Sequence, residues 1–364
     1  MHQDIVIVGG GIIGMLTARE LYSSGMKITL IDKQEPGKEA SWAGGGILSP
    51  LFPWRYLDCV TELASDSQKR FSETCQELKE DTGIDSQYIK SGMLMVAPDE
   101  MSEAQNWALQ HNKNLKTIDE NMFHKIEPLK SNPPEKGLWM PDVAQVRNPE
   151  FGKALFADLR KKNIRIFSKN SVTKILHDKG ICKGVITKEE KFFSKKVIIC
   201  AGCWSGSILE SLPYPPKIYP IKGQMILFKT PPGLIRTICL DSHKYIIPRK
   251  DGHVLYGSTM EDVGFNKIIT KSAFQELYSI AIDQFPILRN YPVIKHWAGL
   301  RPASPAGVPY ISSHPKIEGL FVNSGQFRNG VVLSVGSARL MSDIILGKTP
   351  SIDHAPFNWN APRG

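Results

Sequence analysis

The first thirty-two residues constrain the fold of this chain more than any other segment. An apolar run at residues 5–8 leads into the glycine-rich turn 9–14, and a helical pattern of apolar residues follows. A second apolar run at residues 28–31 then ends on Asp32. This order predicts a strand, a tight turn, a helix and a second, parallel strand, which together make a βαβ unit.

Three glycines and one acid in this unit have separate physical tasks. Gly9 permits the tight strand-to-helix turn, Gly11 lets backbone amides approach a pyrophosphate, and Gly14 lets the helix lie close to the sheet. The helix N-terminus offers unpaired N–H groups to phosphates, and Asp32 is placed to accept from ribose hydroxyls. The unit therefore predicts a nucleotide cofactor. A structural βαβ unit that binds nothing is the alternative.

Length and composition place the chain among soluble globular proteins. Its 364 residues suffice for roughly two or three domains, and 41% hydrophobic with 22% charged residues is ordinary for that class. The chain opens directly on the first strand, without the basic and apolar parts of a signal peptide. No apolar run reaches the roughly 18 residues of a membrane span. We therefore expect a cytoplasmic protein with no membrane span.

The formal net charge of +9 would suit an anionic substrate, a membrane surface or nucleic acid. The basic residues are dispersed, however, and the densest group, residues 160–162, lies where a helix is predicted to end. Cations are favourable at that position in any helix. The charge therefore predicts a solvated surface and no nucleic-acid partner.

Cys200 and Cys203 have the C-x-x-C spacing of redox or metal pairs. Cys200 ends a β-branched strand, and no second pair of ligands lies nearby in the sequence. We therefore expect both cysteines to pack in the core, with no metal site and no disulfide framework.

Elements of the nucleotide-binding type recur in three separated parts of the chain. After the N-terminal unit, we predict a helix at 149–161, strands at 164–166 and 196–200, a hairpin-like stretch at 171–194, a strand at 320–323 and a helix from Asn329 to about Leu346. The intervening parts differ. Residues 217–260 alternate as antiparallel strands do, 87–141 mixes short strands with a polar helix at 99–112, and 271–290 is an amphipathic helix.

These elements predict an α/β protein. A Rossmann-like cofactor-binding domain is assembled from discontinuous segments, and a substrate-binding domain is built on a mainly antiparallel β-sheet with helices. The predicted boundaries are 1–86, 142–214 and 300–364 for the first domain, and 87–141 and 215–299 for the second.

Two further glycine-rich stretches are predicted to approach a ligand. Residues 41–48 contain three consecutive glycines, which cost too much backbone entropy for a regular helix or strand. We interpret this stretch as backbone lying against a flat ligand, with Ser41 donating to phosphate; a flexible linker is the alternative. Residues 201–205 directly follow a strand, where open α/β sheets bind ligands, although such a turn is as often structural.

Arg301 lies in the otherwise apolar segment 297–302. A buried guanidinium needs a partner, and its planar fork suits two parallel hydrogen bonds to a carboxylate. We predict that Arg301 binds a substrate carboxylate; an ion pair within the protein is the alternative. The segment 323–332 then runs from a strand into an apolar helix.

The chain resembles the flavin-dependent amine oxidoreductases of the D-amino-acid oxidase type, and among them the bacterial glycine oxidases that feed thiamine-thiazole synthesis. The resemblance covers essentially the whole chain, and its most specific motifs are 221–224, 245–249, 297–302 and 327–330. It implies FAD held without a covalent bond, since no cysteine follows Cys239 in the C-terminal region where sarcosine oxidases attach their flavin.

The predicted cofactor and substrate contacts come partly from these motifs and partly from the turns described above. The cofactor contacts are Gly9, Gly11, Ile12, Ile13, Gly14, Asp32, Lys33, Ser41, Gly45, Gly46, Ile47, Val172, Ala201, Gly202, Trp204, Gln326, Phe327, Arg328, Asn329, Gly330, Val331 and Val332. The substrate contacts are Arg301, Tyr245 and Arg328, with His243 and Met260 near the pocket. The resemblance places the run 326–332 against the isoalloxazine, and the helix expected from Asn329 would point its positive end at the flavin O2 edge.

The implied reaction is the oxidative deamination of glycine, sarcosine and small D-amino acids by hydride transfer to flavin N5. Oxygen is the expected acceptor, and hydrogen peroxide the second product. A D-amino-acid dehydrogenase that passes electrons to a quinone is one alternative. A non-catalytic flavoprotein subunit is another alternative, but such a subunit would be expected to lack Arg301. An NAD-dependent dehydrogenase is a third, but it leaves residues 41–48 without a role. Similar enzymes are commonly homo-oligomers, so self-association is a further expectation.

Overall fold

The computed structural model describes residues 2–96 and 98–363. Its strands are β1 (His2–Val8), β2 (Ile28–Ile31), β3 (Ile89–Lys90), β4 (Met93–Val96), β5 (Lys116–Asp119), β6 (Lys136–Met140), β7 (Ala144–Gln145), β8 (Arg165–Phe167), β9 (Val172–Asp178), β10 (Ile181–Thr187), β11 (Lys191–Ile199), β12 (Tyr219–Lys229), β13 (Ile238–Asp241), β14 (Lys244–Pro248), β15 (His253–Gly257), β16 (Val293–Ala303), β17 (Tyr310–Ser313) and β18 (Leu320–Ser324). Its α-helices are α1 (Ile12–Tyr22), α2 (Ala40–Ala43), α3 (Asp58–Thr82), α4 (Met101–Gln110), α5 (Glu120–Ile126), α6 (Asn148–Lys161), α7 (Ser205–Leu209), α8 (Lys271–Gln284) and α9 (Ser334–Leu346). Short 3₁₀ turns include Gly202–Trp204 and Phe327–Asn329.

The first sheet has the order β17-β18-β11-β1-β2-β8, and its strands from β18 to β8 are parallel. Both of its faces are covered. Ile5 and Ile7 of β1 belong to one hydrophobic cluster, whereas Val6 and Val8 belong to another. Burial on both faces is why β1 is a continuous apolar run instead of an alternating one. The βαβ unit predicted from the first thirty-two residues is present as β1, α1 and β2.

Helices α1, α3, α6 and α9 pack together on one face of this sheet. The helix α3 was not predicted, although it has 25 residues and is the longest in the described part of the chain. Its buried residues follow helical spacing, as at Val60, Leu63 and Ala64, and it ends before Gly83, whose φ is 75°. A left-handed glycine directly after a helix is a common stop, so the signal was available in the sequence.

The second sheet has the order β16-β12-β15-β14-β13-β4-β6-β5. Its pairs are antiparallel except for β13 with β4. One face packs with α8 around Ile226, Phe228 and Tyr256, and the other contains Met225, Tyr245 and Leu255. This arrangement confirms the predicted α/β class with a mainly antiparallel second sheet.

Several predicted boundaries differ from the structure. The strand β16 continues through the predicted domain boundary at 299/300 as far as Ala303, so Arg301 lies in the second sheet. The strand predicted at 196–200 is the end of the longer β11, which pairs with β10. The division into two domains stays a prediction. Because β12 pairs with β16 along nearly its whole length, residues 300–303 are continuous with the second sheet.

The helix predicted from Asn329 begins later, at Ser334, after the 3₁₀ turn Phe327–Asn329. Residues 41–43, predicted as irregular together with the glycines that follow, form the single helical turn α2. In the described part of the chain, no helix is long and apolar enough to span a bilayer.

Candidate active site

One cavity of about 440 Å³ lies where the two sheets meet. Residues at the carboxyl ends of β1, β2, β11 and β18 form one part of its wall, and residues of β12, β14 and β16 form another. The carboxyl ends of parallel strands are the usual ligand-binding edge of such sheets. The volume lies within the common range for small-molecule sites, roughly 300–1,000 Å³.

Most of the predicted site residues line this cavity. The predicted cofactor contacts that do so are Gly9, Gly11, Ile12, Ile13, Asp32, Lys33, Ser41, Gly45, Gly46, Ile47, Val172, Ala201, Gly202, Trp204, Gln326, Phe327, Arg328, Gly330 and Val331. The predicted substrate contacts Arg301 and Tyr245 line it as well. The residues that do not line it are Gly14, Asn329, Val332, His243 and Met260.

The glycines of the first turn are required by close contacts. Gly9 has φ 109°, and a Cβ atom there would lie 2.3 Å from the Cys200 carbonyl oxygen. A Cβ atom on Gly14 would lie 1.9 Å from the Gly9 carbonyl oxygen. Gly14 therefore lets α1 pack against the turn, as predicted; its contact with the cofactor stays a prediction.

The N-terminus of α1 opens into the cavity with few bonds to protein. The Ile12 amide donates to Ser41 Oγ at 3.0 Å, and no side chain caps the helix from Gly11. Ser41 was predicted to donate to phosphate; in the structure its hydroxyl oxygen accepts from the helix. The hydroxyl retains one hydrogen that can donate to a phosphate oxygen.

Asp32 has its carboxylate bonded by backbone amides of the two adjoining turns. Its Oδ2 accepts from the Gly10 amide at 2.6 Å, and its Oδ1 accepts from the Gln34 amide at 2.7 Å. Burial raises the pKa of Asp32, while these two amides act in the opposite direction. A carboxylate oxygen has two acceptor sites, so Asp32 can still accept from a ribose hydroxyl in the cavity.

The glycine run is held against the cavity by a buried arginine. Arg249 Nη2 donates to the Gly45 carbonyl at 2.7 Å, and Nη1 donates to the Val146 carbonyl at 2.9 Å. Burial lowers the pKa of Arg249 to about 9. A Cβ atom on Gly45 would lie 2.5 Å from Ile247 Cδ1, and one on Gly46 would lie 2.1 Å from the Val146 carbonyl oxygen. The run is thus fixed backbone and not a flexible linker.

Arg301 is held by backbone and hydroxyl oxygens of the second sheet. Its Nη1 donates to the carbonyls of Lys222 at 3.3 Å and Thr259 at 3.2 Å, and its Nη2 donates to Ser258 Oγ at 2.6 Å. A Cβ atom on Gly223 would lie 2.2 Å from the guanidinium, so that glycine makes room for it. Within residues 2–96 and 98–363, Arg301 forms no salt bridge to a carboxylate.

Two of the other predicted substrate residues, Tyr245 and Arg328, affect the pKa of Arg301. Desolvation lowers the pKa of Arg301, the neighbouring Tyr245 opposes that shift, and Arg328 adds to it. Tyr245 is buried, with its hydroxyl 3.8 Å from Met225 Sδ. Two cations and a phenol therefore lie close together at the cavity. The charge of Glu261 also raises the pKa of Arg301, but Glu261 forms its salt bridge with Lys222. The guanidinium can therefore still attract an anion.

His243 and Met260 do not line the cavity. His243 is exposed in the turn between β13 and β14, and 57% of the Met260 surface is exposed. Their predicted roles near the pocket stay predictions.

The C-terminal segment presents buried polar groups beside the cavity. Gln326 Nε2 donates to Asn323 Oδ1 at 2.8 Å, whereas both amide atoms of Asn329 are buried with no hydrogen-bond partner in the described residues. The helix α9 begins at Ser334, after the 3₁₀ turn Phe327–Asn329, so the predicted helix start at Asn329 is wrong. That a positive helix end points at the flavin stays a prediction.

These observations fit a flavin dinucleotide. The α1 amides and Ser41 offer donors to phosphates, Asp32 offers an acceptor to ribose, and the glycine run leaves room for a flat ring. Sequence reasoning gave no role to Arg249 or Gly223, although both lie in motifs that it singled out.

Comparison with known proteins identifies the family. The model for FAD-dependent oxidoreductases of the DAO type matches residues 4–344. The chain is 40% identical to the glycine oxidase of Pseudomonas aeruginosa over the full length of both. It is 30% identical to the bifunctional protein ThiO/ThiG of Trichormus variabilis, with 98% of this chain matching 55% of that one.

The fold also agrees with a solved structure. The glycine oxidase of Bacillus cereus superposes with a TM-score of 0.88 at 29% identity, covering 97% of this chain and 96% of that one. The glycine-rich turn, the cavity and the match over nearly the whole chain lead to one conclusion: the chain belongs to the D-amino-acid oxidase (DAO) family and is an FAD-dependent amino-acid oxidase.

Proposed function

We propose that this enzyme oxidises glycine and other small amines, such as sarcosine and small D-amino acids, with FAD bound in the cavity. The observation that carries the proposal is Arg301, a guanidinium without a carboxylate partner in the described residues, in the same cavity as the α1 amides. The glycine oxidase names of relatives support the choice of substrate. In the described residues Glu261 forms its salt bridge with Lys222 and not with Arg301, which argues against a structural ion pair.

In this proposal the protein orients the substrate, and FAD supplies the acceptor for the hydride from the substrate Cα. Arg301 grips the carboxylate with the N–H groups that are not bonded to protein, and the Tyr245 hydroxyl adds a further donor. Because the guanidinium is itself fixed by three oxygens, it holds the Cα–H bond in a single direction.

No general base is assigned. His243 does not line the cavity. Tyr245 lines it and is a neighbour of Arg301. A substrate that binds as the free amine needs no base at the enzyme. The oxidised product is an imine, which water converts to a 2-oxo acid and ammonia, or methylamine when the substrate is sarcosine. Oxygen is the proposed electron acceptor, and its reduction gives hydrogen peroxide.

The FAD contacts proposed are the predicted residues that line the cavity, bound without a covalent link. Cys200 and Cys203 also line it, but burial raises the pKa of each thiol to about 12. Protonated thiols are weak nucleophiles. Denaturation should therefore release all the flavin into solution.

A place in thiamine-thiazole synthesis, with the imine as the product delivered, is part of the proposal. It is supported by the ThiO/ThiG relative, in which a chain like this one is joined to a second part. A cytoplasmic location and a homo-oligomeric state stay predictions.

The test is anaerobic reduction of the purified holoenzyme by glycine, sarcosine, D-alanine and D-proline in turn, followed by the visible flavin absorbance. We expect bleaching by glycine, and peroxide on admission of air. A flavin that glycine leaves unbleached would contradict the substrate assignment. Bleaching without peroxide would favour the quinone-linked dehydrogenase.

A further inference from the structure

The segment 261–270 joins β15 to α8 and has no helix and no long strand. It is rich in exposed apolar side chains, with Val263 43%, Phe265 45% and Ile268 71% exposed. Exposed apolar side chains concentrated in one loop call for an explanation, because contact of apolar surface with water is unfavourable. We refer to residues 261–270 as the clasp.

Both ends of the clasp are fixed to β12 by buried side chains. Lys222 Nζ forms a salt bridge with Glu261 at 2.8 Å and donates to the Ile268 carbonyl at 3.1 Å. At the other end, the Thr270 amide donates to Gln224 Oε1 at 3.0 Å. Lys222 and Gln224 are almost completely buried. The clasp is therefore a compact surface loop with a fixed base.

The middle of the clasp crosses to the first sheet. Phe265 stacks on Trp204 with ring centroids 5.6 Å apart and an interplanar angle of 28°. Lys267 Nζ forms a salt bridge with Glu39 at 2.8 Å. Trp204 and Glu39 line the cavity, whereas Phe265 and Lys267 do not. The clasp thus contacts the cavity wall from its outer side.

The wall at this place is the part next to Asp32. Lys33 Nζ lies 3.0 Å from the centroid of the Trp204 ring and 3.4 Å from Glu39 Oε1. The same indole and carboxylate that the clasp holds are therefore also held by the residue that follows Asp32.

We propose that the clasp retains FAD, with Phe265 and Lys267 as the residues that close it. The proposal rests on the placement of FAD in the cavity given above. The clasp contacts are few and partly exposed, so the loop opens at low cost and lets the cofactor enter. Closed, it braces the wall and slows release.

The experiment measures the rate of FAD release from the diluted holoenzyme by the rise in flavin fluorescence, without substrate. We expect Phe265→Ala to release FAD about tenfold faster, which corresponds to about 1.4 kcal/mol. Phe265→Tyr keeps the stacked ring and should restore slow release. Ile268→Ala is the matched control, because its side chain is the most exposed of the large apolar ones in the clasp, and it should leave the rate unchanged.

The ionic contact has its own signature. High salt screens an exposed ion pair, so it should speed release from the unaltered protein and have a smaller effect on Lys267→Ala. Equal release rates for Phe265→Ala and Ile268→Ala would overturn the proposal. Because release is measured without substrate, a flavin that stays bound but that glycine fails to reduce contradicts the proposed reaction and not the clasp.

Discussion

The two ends of the cavity bind by different means. At the α1 end the groups offered to a ligand are mostly backbone, and they are set by glycines within a few residues of one another, such as Gly9 and Gly11. At the Arg301 end the binding group is a side chain, held by oxygens that are 42 to 79 residues away in sequence. Backbone sites follow from local sequence, whereas a side-chain site depends on how distant segments meet.

The largest expected effect is at the backbone end. In Gly9→Ala, the new Cβ atom would meet the Cys200 carbonyl oxygen at 2.3 Å. Overpacking typically destabilises by about 1–3 kcal/mol, and a left-handed backbone adds about 1–2 kcal/mol for an L-residue. We expect the variant to be purified without flavin and to unfold at a lower temperature.

Gly25→Ala is the control for this change. Gly25 has φ 74°, but no heavy atom lies within 4 Å of the added Cβ position. It should lose only the strain contribution and keep its flavin. Equal flavin content in the two alanine variants would show that the close contact at Gly9 is unimportant.

Substitution at the Arg301 end of the cavity should instead impair substrate binding and leave FAD binding intact. Removing one partner of a hydrogen-bonded charge pair costs roughly 2–5 kcal/mol. We therefore expect Arg301→Ala to lose that much transition-state stabilisation for glycine, seen as a lower kcat/KM, while FAD stays bound. Arg301→Lys should also be impaired, because an ammonium cannot form the planar fork. Steady-state kinetics with a flavin spectrum of each variant checks this. Near-normal kinetics for Arg301→Ala would remove it from the substrate site.

Arg249 tests whether a side chain can also control the backbone end. In Arg249→Lys a single ammonium replaces the two nitrogens that donate to Gln145, Val146 and Gly45, and an unsatisfied buried group costs about 1–3 kcal/mol. We expect weaker FAD binding, measured by flavin titration of the apoprotein. Lys250→Ala, at the exposed neighbouring position, is the control. FAD affinity equal to that of the control would show that the glycine run holds its shape without Arg249.

The smallest expected effect is at Asp251, two positions after Arg249 in the chain. Despite desolvation, which acts to raise it, the Arg147 salt bridge at 2.6 Å and His253 hold the pKa of Asp251 well below its usual value. A lowered carboxyl pKa contributes stability that is present above the unfolded-state pKa and lost as pH falls below it. Asp251→Asn should therefore reduce stability at neutral pH, by less than about 1 kcal/mol for so exposed a pair.

The pH series of unfolding temperatures checks the sign. The difference between Asp251→Asn and the unaltered protein should shrink as pH falls through about 4, where a free aspartate becomes protonated. A difference that is constant across the series would mean that the charge of Asp251 is not what stabilises the fold.

The limits of prediction from the sequence follow the same division between the two ends. The turn at Gly9 and the strand β1 could be predicted because their signals are local, and Arg301 could be predicted because an arginine in an apolar segment is unusual. Its supports, Ser258 and Thr259, could not, since nothing in the sequence shows that they meet β16.

Other failures have the same origin. The helix start at Asn329 was predicted from apolar residues, but residues 330–333 form turns and α9 begins only at Ser334. The roles predicted for Met260 and His243 stay predictions, because the direction of a side chain depends on packing that the sequence does not show. The omission of α3 was different in kind, because its spacing and the glycine at its end were readable.

The central claim is that Arg301 anchors a small carboxylate beside the flavin ring. A crystal structure of the holoenzyme with a small unreactive carboxylate, such as glycolate, tests it most directly. We predict the carboxylate on the Arg301 guanidinium, with the isoalloxazine next to it and the pyrophosphate at the N-terminus of α1. A carboxylate bound elsewhere, or a flavin ring far from residue 301, would contradict the account.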